Sequence, residues 1–254
     1  LIRLASFSEA RRNFFKLLRT KASALGCPTS NEREIMTTLR DQTQAQFAKL
    51  EQSNPTYATL VESVLAKARD FGDGKDAIGV GQSAPSFVLP NAEGESVELA
   101  ALLANGPVVI SFYRGSWCPY CNLQLRAMQD RLPEIRKLGA QFVAVSPETP
   151  DESLSLVEKA ELKFLVLSDK NAWVAEKYGV AWKVPEVILE HMRIRGLDLA
   201  KINDGNDSVL PIPATFVISP DGIVKWRFVN VDYRARAEPD DIIAALHDLK
   251  RGPA

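Results

Sequence analysis

The run Val108-Val109-Ile110-Ser111-Phe112-Tyr113-Arg114-Gly115-Ser116-Trp117-Cys118-Pro119-Tyr120-Cys121 constrains this chain more than any other stretch. Its first half is apolar enough for a strand at the centre of a sheet, covered on both faces. Pro119 suits the first turn of a helix, so a helix begins at or near Cys118. Unpaired backbone N–H groups and the helix field at such a start stabilise a thiolate. The three-residue spacing places both thiols on one helix face, one turn apart, where they can close a disulfide. Arg114 adds positive potential. The pair therefore reads as a redox-active dithiol.

Zinc sites use the same spacing but need two further ligands. Only Cys27, His191 and His247 remain as soft or imidazole candidates, and none forms a second paired motif. Neither a metal nor a cofactor is expected. Both histidines are expected to be surface or packing residues, and Cys27 an incidental thiol. Trp117 and Tyr120 flank the thiols, and at least one is expected on an exposed apolar rim facing a substrate or partner. Trp173 and Trp226 are expected in the core.

The 254 residues include three cysteines, too few for a disulfide scaffold. That usage fits a reducing compartment, and a cytoplasmic location is expected. Lys plus Arg total 31 against 32 for Asp plus Glu, so the chain lacks the basic excess of a nucleic-acid binder. No apolar run is long enough to span a membrane. The chain begins at Leu1, which suggests processing or a fragment. Residues 1–26 carry Arg3, Arg11, Arg12, Lys16, Arg19 and Lys21 against only Glu9. They read as a solvated helix on the main domain, with an organellar presequence as the alternative.

Residues 1–73 read as a helical extension. Asn31 and Glu34 have capping-box spacing, and Asn54-Pro55 marks a second helix start, ended by Gly72. These helices leave apolar sides to bury, on the catalytic domain or in a homodimer. The Gly-rich residues 71–84 read as a linker. A domain over residues 78–250 follows, with a hairpin around Asn91–Gly94 and strands alternating with helices. One long helix carries Pro133, predicted to kink it. Residues 181–209 form an insertion with mixed signals, and a hairpin turning at Pro220-Asp221-Gly222 precedes a final helix. The pattern predicts an α/β fold with a mixed central sheet flanked by helices. Two prolines, Pro211 and Pro213, set the approach to the strand at Thr215. A cis bond before Pro213 would leave the Ile212 carbonyl free to pair with an extended substrate.

The segments Gly81-Gln82-Ser83-Ala84-Pro85-Ser86-Phe87-Val88-Leu89-Pro90, Phe112 to Cys121, and Pro213-Ala214-Thr215-Phe216-Val217-Ile218 with Pro220-Asp221-Gly222 carry a likeness. Residues 78–250 resemble the peroxiredoxin-like AhpC/TSA family of the thioredoxin superfamily. The resemblance implies a thioredoxin-like fold, the dithiol at the first long helix, and a cis-proline at Pro213 beside it. Laid on the peroxiredoxin motif, Cys121 holds the peroxidatic position and Gln124 the motif glutamine. Cys118 replaces the motif hydroxyl and Arg114 the motif proline. Pro213 stands where the family carries an arginine, leaving Arg114 or Arg126 as substitutes.

Two cycles follow. In disulfide exchange, Cys118 attacks as an exposed thiolate and Cys121 resolves. In peroxide reduction, one thiolate becomes a sulfenic acid and the other condenses with it. The expected nucleophile is Cys118, with Arg114, Trp117, Gln124 and Pro213 shaping the site. Either cycle draws on a reducing thiol system of thioredoxin or glutathione type. A redox-sensing module acting through the N-terminal helices is the alternative.

Overall fold

The computed structural model describes residues 38–70 and 74–252. The capping box expected at Asn31 and Glu34 lies outside them. Helix α1 (Leu39–Ser53) starts from a different box: Thr38 Oγ1 accepts from the Asp41 amide, and Asp41 accepts from the Thr38 amide. Aspartate supplies the return bond that glutamate makes in the standard pattern. Helix α2 (Pro55–Asp70) begins as expected, with Asn54 Oδ1 accepting from the Tyr57 amide and Pro55 at the first helical position. Helix ends predicted at Gly72 lie outside the described residues.

Strands β1 (Val88–Pro90) and β2 (Ser96–Glu98) form the small hairpin, followed by α3 (Leu99–Leu103). The central sheet uses β3 (Val108–Phe112), β4 (Gln141–Ser146), β5 (Leu165–Ser168), β8 (Ala214–Ile218) and β9 (Val224–Val229). Its order is β5-β4-β3-β8-β9. β3 runs parallel to β4 and β4 to β5, whereas β8 is antiparallel to both β3 and β9. The mixed, thioredoxin-like sheet is thus the expected one.

Strand periodicity divides the core. Val108, Ile110 and Phe112 face one apolar cluster with Phe216, Tyr178 and the α3 leucines. Val109 and Tyr113 face the other. There α4 (Pro119–Lys137) contributes Leu125, Met128, Leu132 and Ile135, and α9 (Pro239–Arg251) contributes Ile242 and Leu246. Both faces of β3 are covered, so its five residues are all buried. Helix α4 continues through Pro133 to Lys137. α5 (Pro150–Ala160) connects β4 to β5, and a short 3-10 turn, Lys170–Ala172, leads into α6 (Trp173–Lys177).

The insertion packs on the main core through Ala181, Trp182 and Val209. β6 (Ala181–Lys183) pairs antiparallel with β7 (Val209–Pro211) and brackets α7 (Glu186–Ile194) and α8 (Leu199–Ile202). α2 packs here: Val61, Val64 and Leu65 share a third apolar cluster with Ile188, Leu189 and Met192. The apolar side of α2 is covered within the chain. Burying each such side chain contributes roughly 1.5–3 kcal/mol. Among the described residues, no helix is long and apolar enough to cross a membrane.

Two expectations fail. Trp173 is 59% exposed rather than core. It opens a short helix whose buried residues are Val174 and Ala175. The peptide bond before Pro213 is trans, as are all described peptide bonds. The chain crosses from β7 to β8 in extended form: the Ile212 amide donates to the Val180 carbonyl, and the Pro213 carbonyl accepts from Asn230. These bonds hold a trans path directly between two strand pairings, and Ile212 and Pro213 are both buried.

Candidate active site

Cys118 is the N-cap residue of α4 and Cys121 lies in its first turn. Cys118 is 1% exposed and Cys121 0%, so neither presents the exposed thiolate expected of Cys118. Both are free thiols. The Cys118 thiol and the Arg114 backbone both act on the Cys121 sulfur in favour of its thiolate. A third donor comes from far along the chain: Arg236 Nη2 lies 3.2 Å from Cys121 Sγ.

These donors order the two acidities. For Cys118, burial comes first, and the hydrogen bond and negative charge of Cys121 add to it; its pKa is well above the ordinary thiol value. Burial also opposes ionisation of Cys121. The Cys118 hydrogen bond, the Arg236 guanidinium and Arg114 outweigh it and hold Cys121 well below the ordinary value. The acidic thiol is therefore Cys121, the reverse of the order expected from a helix N-cap.

Arg236 is fixed by its own loop and by the N-terminal helices. Its Nη1 donates to the Tyr233 and Ala235 carbonyls. Two residues on, the Glu238 carboxylate accepts from the Leu39 and Arg40 amides at 3.1 and 2.7 Å, capping α1. Asp232 and Arg234 bind each other, Arg69 and Glu62 of α2. Arg234 also stacks over Phe47 of α1, 4.1 Å from the ring centroid. The helices thus clamp the loop that delivers Arg236.

Arg114 is buried between two rings, 4.9 Å from the Trp117 centroid and 4.4 Å from that of Tyr233. Its charge lowers the pKa of both thiols, as expected. Arg126 is exposed and lines a different pocket, beside Ser116 and Leu156, whereas Arg236 donates to Cys121. Gln124 does not reach the thiols among its resolved bonds. Its Nε2 donates to Ser111 Oγ at 3.0 Å and approaches Thr215 Oγ1 at 3.5 Å, tying α4 to β3 and β8. Pro213 does not line the cleft that Cys118 borders.

Cys118 borders a cleft of about 370 Å³ shared with Arg114, Trp117, Tyr120 and Tyr233. Trp117 is half-buried and Tyr120 buried, so the expected aromatic rim is a wall more than an exposed edge. Tyr57 of α2 and His191 of α7 form the far side, stacked at 3.6 Å. His191 is a cleft residue, not merely a surface one, whereas His247 is exposed. Burial and the Arg195 charge lower the His191 pKa.

Beneath the turn into the dithiol lies Glu148. Its Oε1 accepts from the Ser116 amide at 2.8 Å and the Ser116 hydroxyl at 2.7 Å. Burial raises its pKa to about 7, against those two hydrogen bonds and with help from the Cys121 charge. Sequence reading missed both Arg236 and Glu148. Glu148 follows a buried parallel strand at its C-terminal end, where α/β sites gather, and that was a usable signal. Arg236 carried none, being one of two arginines in a polar loop.

Residues 80–227 match the AhpC/TSA family. Peroxiredoxin Q, chloroplastic, of Populus jackii is 28% identical over 177 residues, covering 70% of this chain and 78% of that protein. Peroxiredoxin Bcp of Escherichia coli K12 is 33% identical over 100 residues, 39% of this chain and 64% of that protein. The crystal structure of peroxidoxin BcpB from Mycobacterium tuberculosis shares the fold, with a TM-score of 0.53 at 24% identity over 67% of this chain and 97% of that one. Tyr57, Tyr233 and Arg236 lie outside the matched residues, whereas both cysteines lie inside them. The chain belongs to the AhpC/TSA family.

Proposed function

We propose that this protein is a thiol-dependent peroxidase in which Cys121 attacks the hydroperoxide and Cys118 resolves the product. The observation that carries this reading is the Arg236 guanidinium 3.2 Å from the Cys121 sulfur. A thiolate attacking a peroxide oxygen drives negative charge onto the departing oxygen, and a fixed cation with N–H donors stabilises that charge. The Cys121 thiolate takes one oxygen and becomes a sulfenic acid, while the other leaves as alkoxide or hydroxide and is protonated. The Cys118 sulfur then displaces water from the sulfenic acid, forming the Cys118–Cys121 disulfide. A thioredoxin- or glutathione-type system returns the dithiol.

Burial supports peroxide over disulfide exchange. A small hydroperoxide needs only a narrow path from the cleft that Cys118 borders to the Cys121 sulfur, whereas a protein disulfide needs an accessible sulfur. The bond before Pro213 is trans, so the exchange cycle lacks the cis-proline expected to free the Ile212 carbonyl for a substrate. In this reading Arg114 adds charge stabilisation, Trp117 holds Arg114 in place, and Gln124 and Pro213 support the scaffold. The aromatic cleft lining accommodates an organic hydroperoxide body as well as hydrogen peroxide.

The test is stopped-flow peroxide consumption with wild type, C118S and C121S. C121S should lose the fast reaction. C118S should keep a single fast turnover and accumulate sulfenic acid, visible by mass spectrometry. Fast single turnover in C121S but not in C118S would reverse the assignment. A wild-type rate no higher than that of a free thiol would end the peroxidase reading.

A further inference from the structure

Glu148 takes no part in the cycle above, yet its placement is unusual. It follows Pro147 after β4 and is fully inaccessible. Its Oε1 holds both Ser116 donors, while Oε2 is buried without a hydrogen-bond partner. A carboxylate left in that position keeps half of its charge unsolvated, whereas a neutral carboxyl costs far less. The charges that act on it come from Cys121 on α4 and Glu152 on α5, and its own charge acts on Tyr113, the residue after β3. All would repel a carboxylate when ionised. Asp169, Lys170, Lys177 and Asp204 line a groove of about 400 Å³ that Glu148 shares with Pro147 and Thr149. That groove has no lining residue in common with the cleft over Cys118.

We propose that Glu148 is a redox-linked proton store for the dithiol. One buried negative charge is shared between two positions. It rests on Cys121 while the pair is reduced, with Glu148 protonated. It moves to Glu148 when the disulfide forms, and the Glu148 proton is released. The proposal rests on the cycling of Cys118 and Cys121.

The chemistry balances. The Cys121 thiolate, the Cys118 thiol, one hydroperoxide and the Glu148 carboxyl give the disulfide, one alcohol, one water and the Glu148 carboxylate. Two electrons pass from the sulfurs to the O–O bond, which breaks as the S–S bond forms. The Glu148 proton neutralises the departing alkoxide. Reduction by an external dithiol runs the exchange backwards: one of its two protons returns to Glu148 and the other to Cys118. Without Glu148, the oxidation must take its proton from solvent.

Proton uptake measures this directly. The reduced full chain is oxidised with hydrogen peroxide in weakly buffered solution containing a pH indicator, at pH values around 7. Wild type should take up clearly less than one proton per disulfide, and E148Q one proton at the same pH. One proton per disulfide in wild type throughout would overturn the proposal. So would equal sub-stoichiometric uptake in wild type and E148Q, which would name another group. If E148Q does not fold, infrared difference spectra of the wild type decide: a protonated-carboxyl band present in the reduced protein should disappear on oxidation, and a carboxyl region unchanged by oxidation would overturn the proposal. Oxidised dithiothreitol serves as a second oxidant with the same proton arithmetic. A protein that it oxidises but peroxide does not would end the peroxidase reading and still report on Glu148.

Discussion

Arg236 donates to the Cys121 sulfur at 3.2 Å across a separation of 115 residues. Glu238, two residues beyond it, caps α1. The acidity of the thiol and the docking of the N-terminal helices therefore depend on one short loop. Replacing Arg236 by Met removes a charged donor from a buried thiolate. A hydrogen bond to a charged group contributes about 1.5–3 kcal/mol, so the peroxide rate near neutral pH should fall roughly 10- to 100-fold. The Cys121 pKa, followed by ultraviolet thiolate absorbance, should rise. An unchanged titration would remove Arg236 from the account.

Glu238→Ala tests the clamp without touching the sulfur. Loss of the cap should cost about 1 kcal/mol of stability. It should also raise the Cys121 pKa by less than Arg236→Met does, since Arg236 keeps its bonds to the Tyr233 and Ala235 carbonyls. Urea denaturation and thiolate titration read the two effects separately. A stability loss with no shift in the titration would mean that α1 docks without positioning Arg236.

Leu65→Ala tests how far α2 is integral to the domain. Leu65 is buried in the cluster with Ile188, Leu189 and Met192. The cavity should cost about 2–5 kcal/mol in a single unfolding transition. A loss under about 1 kcal/mol, or a separate early transition, would show α2 to be loosely attached.

Gly115 lies where the chain turns from β3 toward the dithiol, at φ 153°. A Cβ there would come within 2.3 Å of Trp117 Nε1 and 3.0 Å of Glu148 Oε1. Gly115→Ala should destabilise the protein by about 1–3 kcal/mol and slow the peroxide reaction, because the displaced ring is the one beneath Arg114. Equal stability and rate would show that the turn adjusts freely.

The parts of the fold legible in the sequence were those set by period and local chemistry. The near-continuous apolar run Val108–Phe112 foretold a strand covered on both faces, and Cys118-Pro119 a helix start. The acidity order of the cysteines was not legible. A helix N-cap favours Cys118, but the Cys118 hydrogen bond to Cys121 is joined by the Arg236 guanidinium, which only the tertiary fold brings there. The cis-proline expectation failed for a related reason: the pairings of Ile212 and Pro213 with Val180 and Asn230 are long-range. Trp173 failed because the identity of a residue does not say which side of a one-turn helix meets the core.

Glu148 gives stability a pH dependence whose sign is fixed by its raised pKa, about 7 against an ordinary 4.5. A carboxyl that holds its proton more tightly when folded contributes stability below its unfolded pKa. That contribution is lost as pH rises through the folded value. The shift corresponds to roughly 3 kcal/mol, lost progressively between about pH 4.5 and 7. Cys121 acts in the opposite sense: its lowered pKa contributes stability above the ordinary thiol range, and that is lost as pH falls through the folded value. The difference between wild type and E148Q isolates the carboxyl. In urea titrations of the reduced proteins, wild type should lose stability relative to E148Q as pH rises from about 5 to 8. The loss should be smaller in the oxidised proteins, where no thiolate on Cys121 repels the carboxylate. A difference that stays flat with pH in both redox states would mean that Glu148 is ionised throughout, and the charge on Cys121 would then be balanced by Arg236 and Arg114 alone.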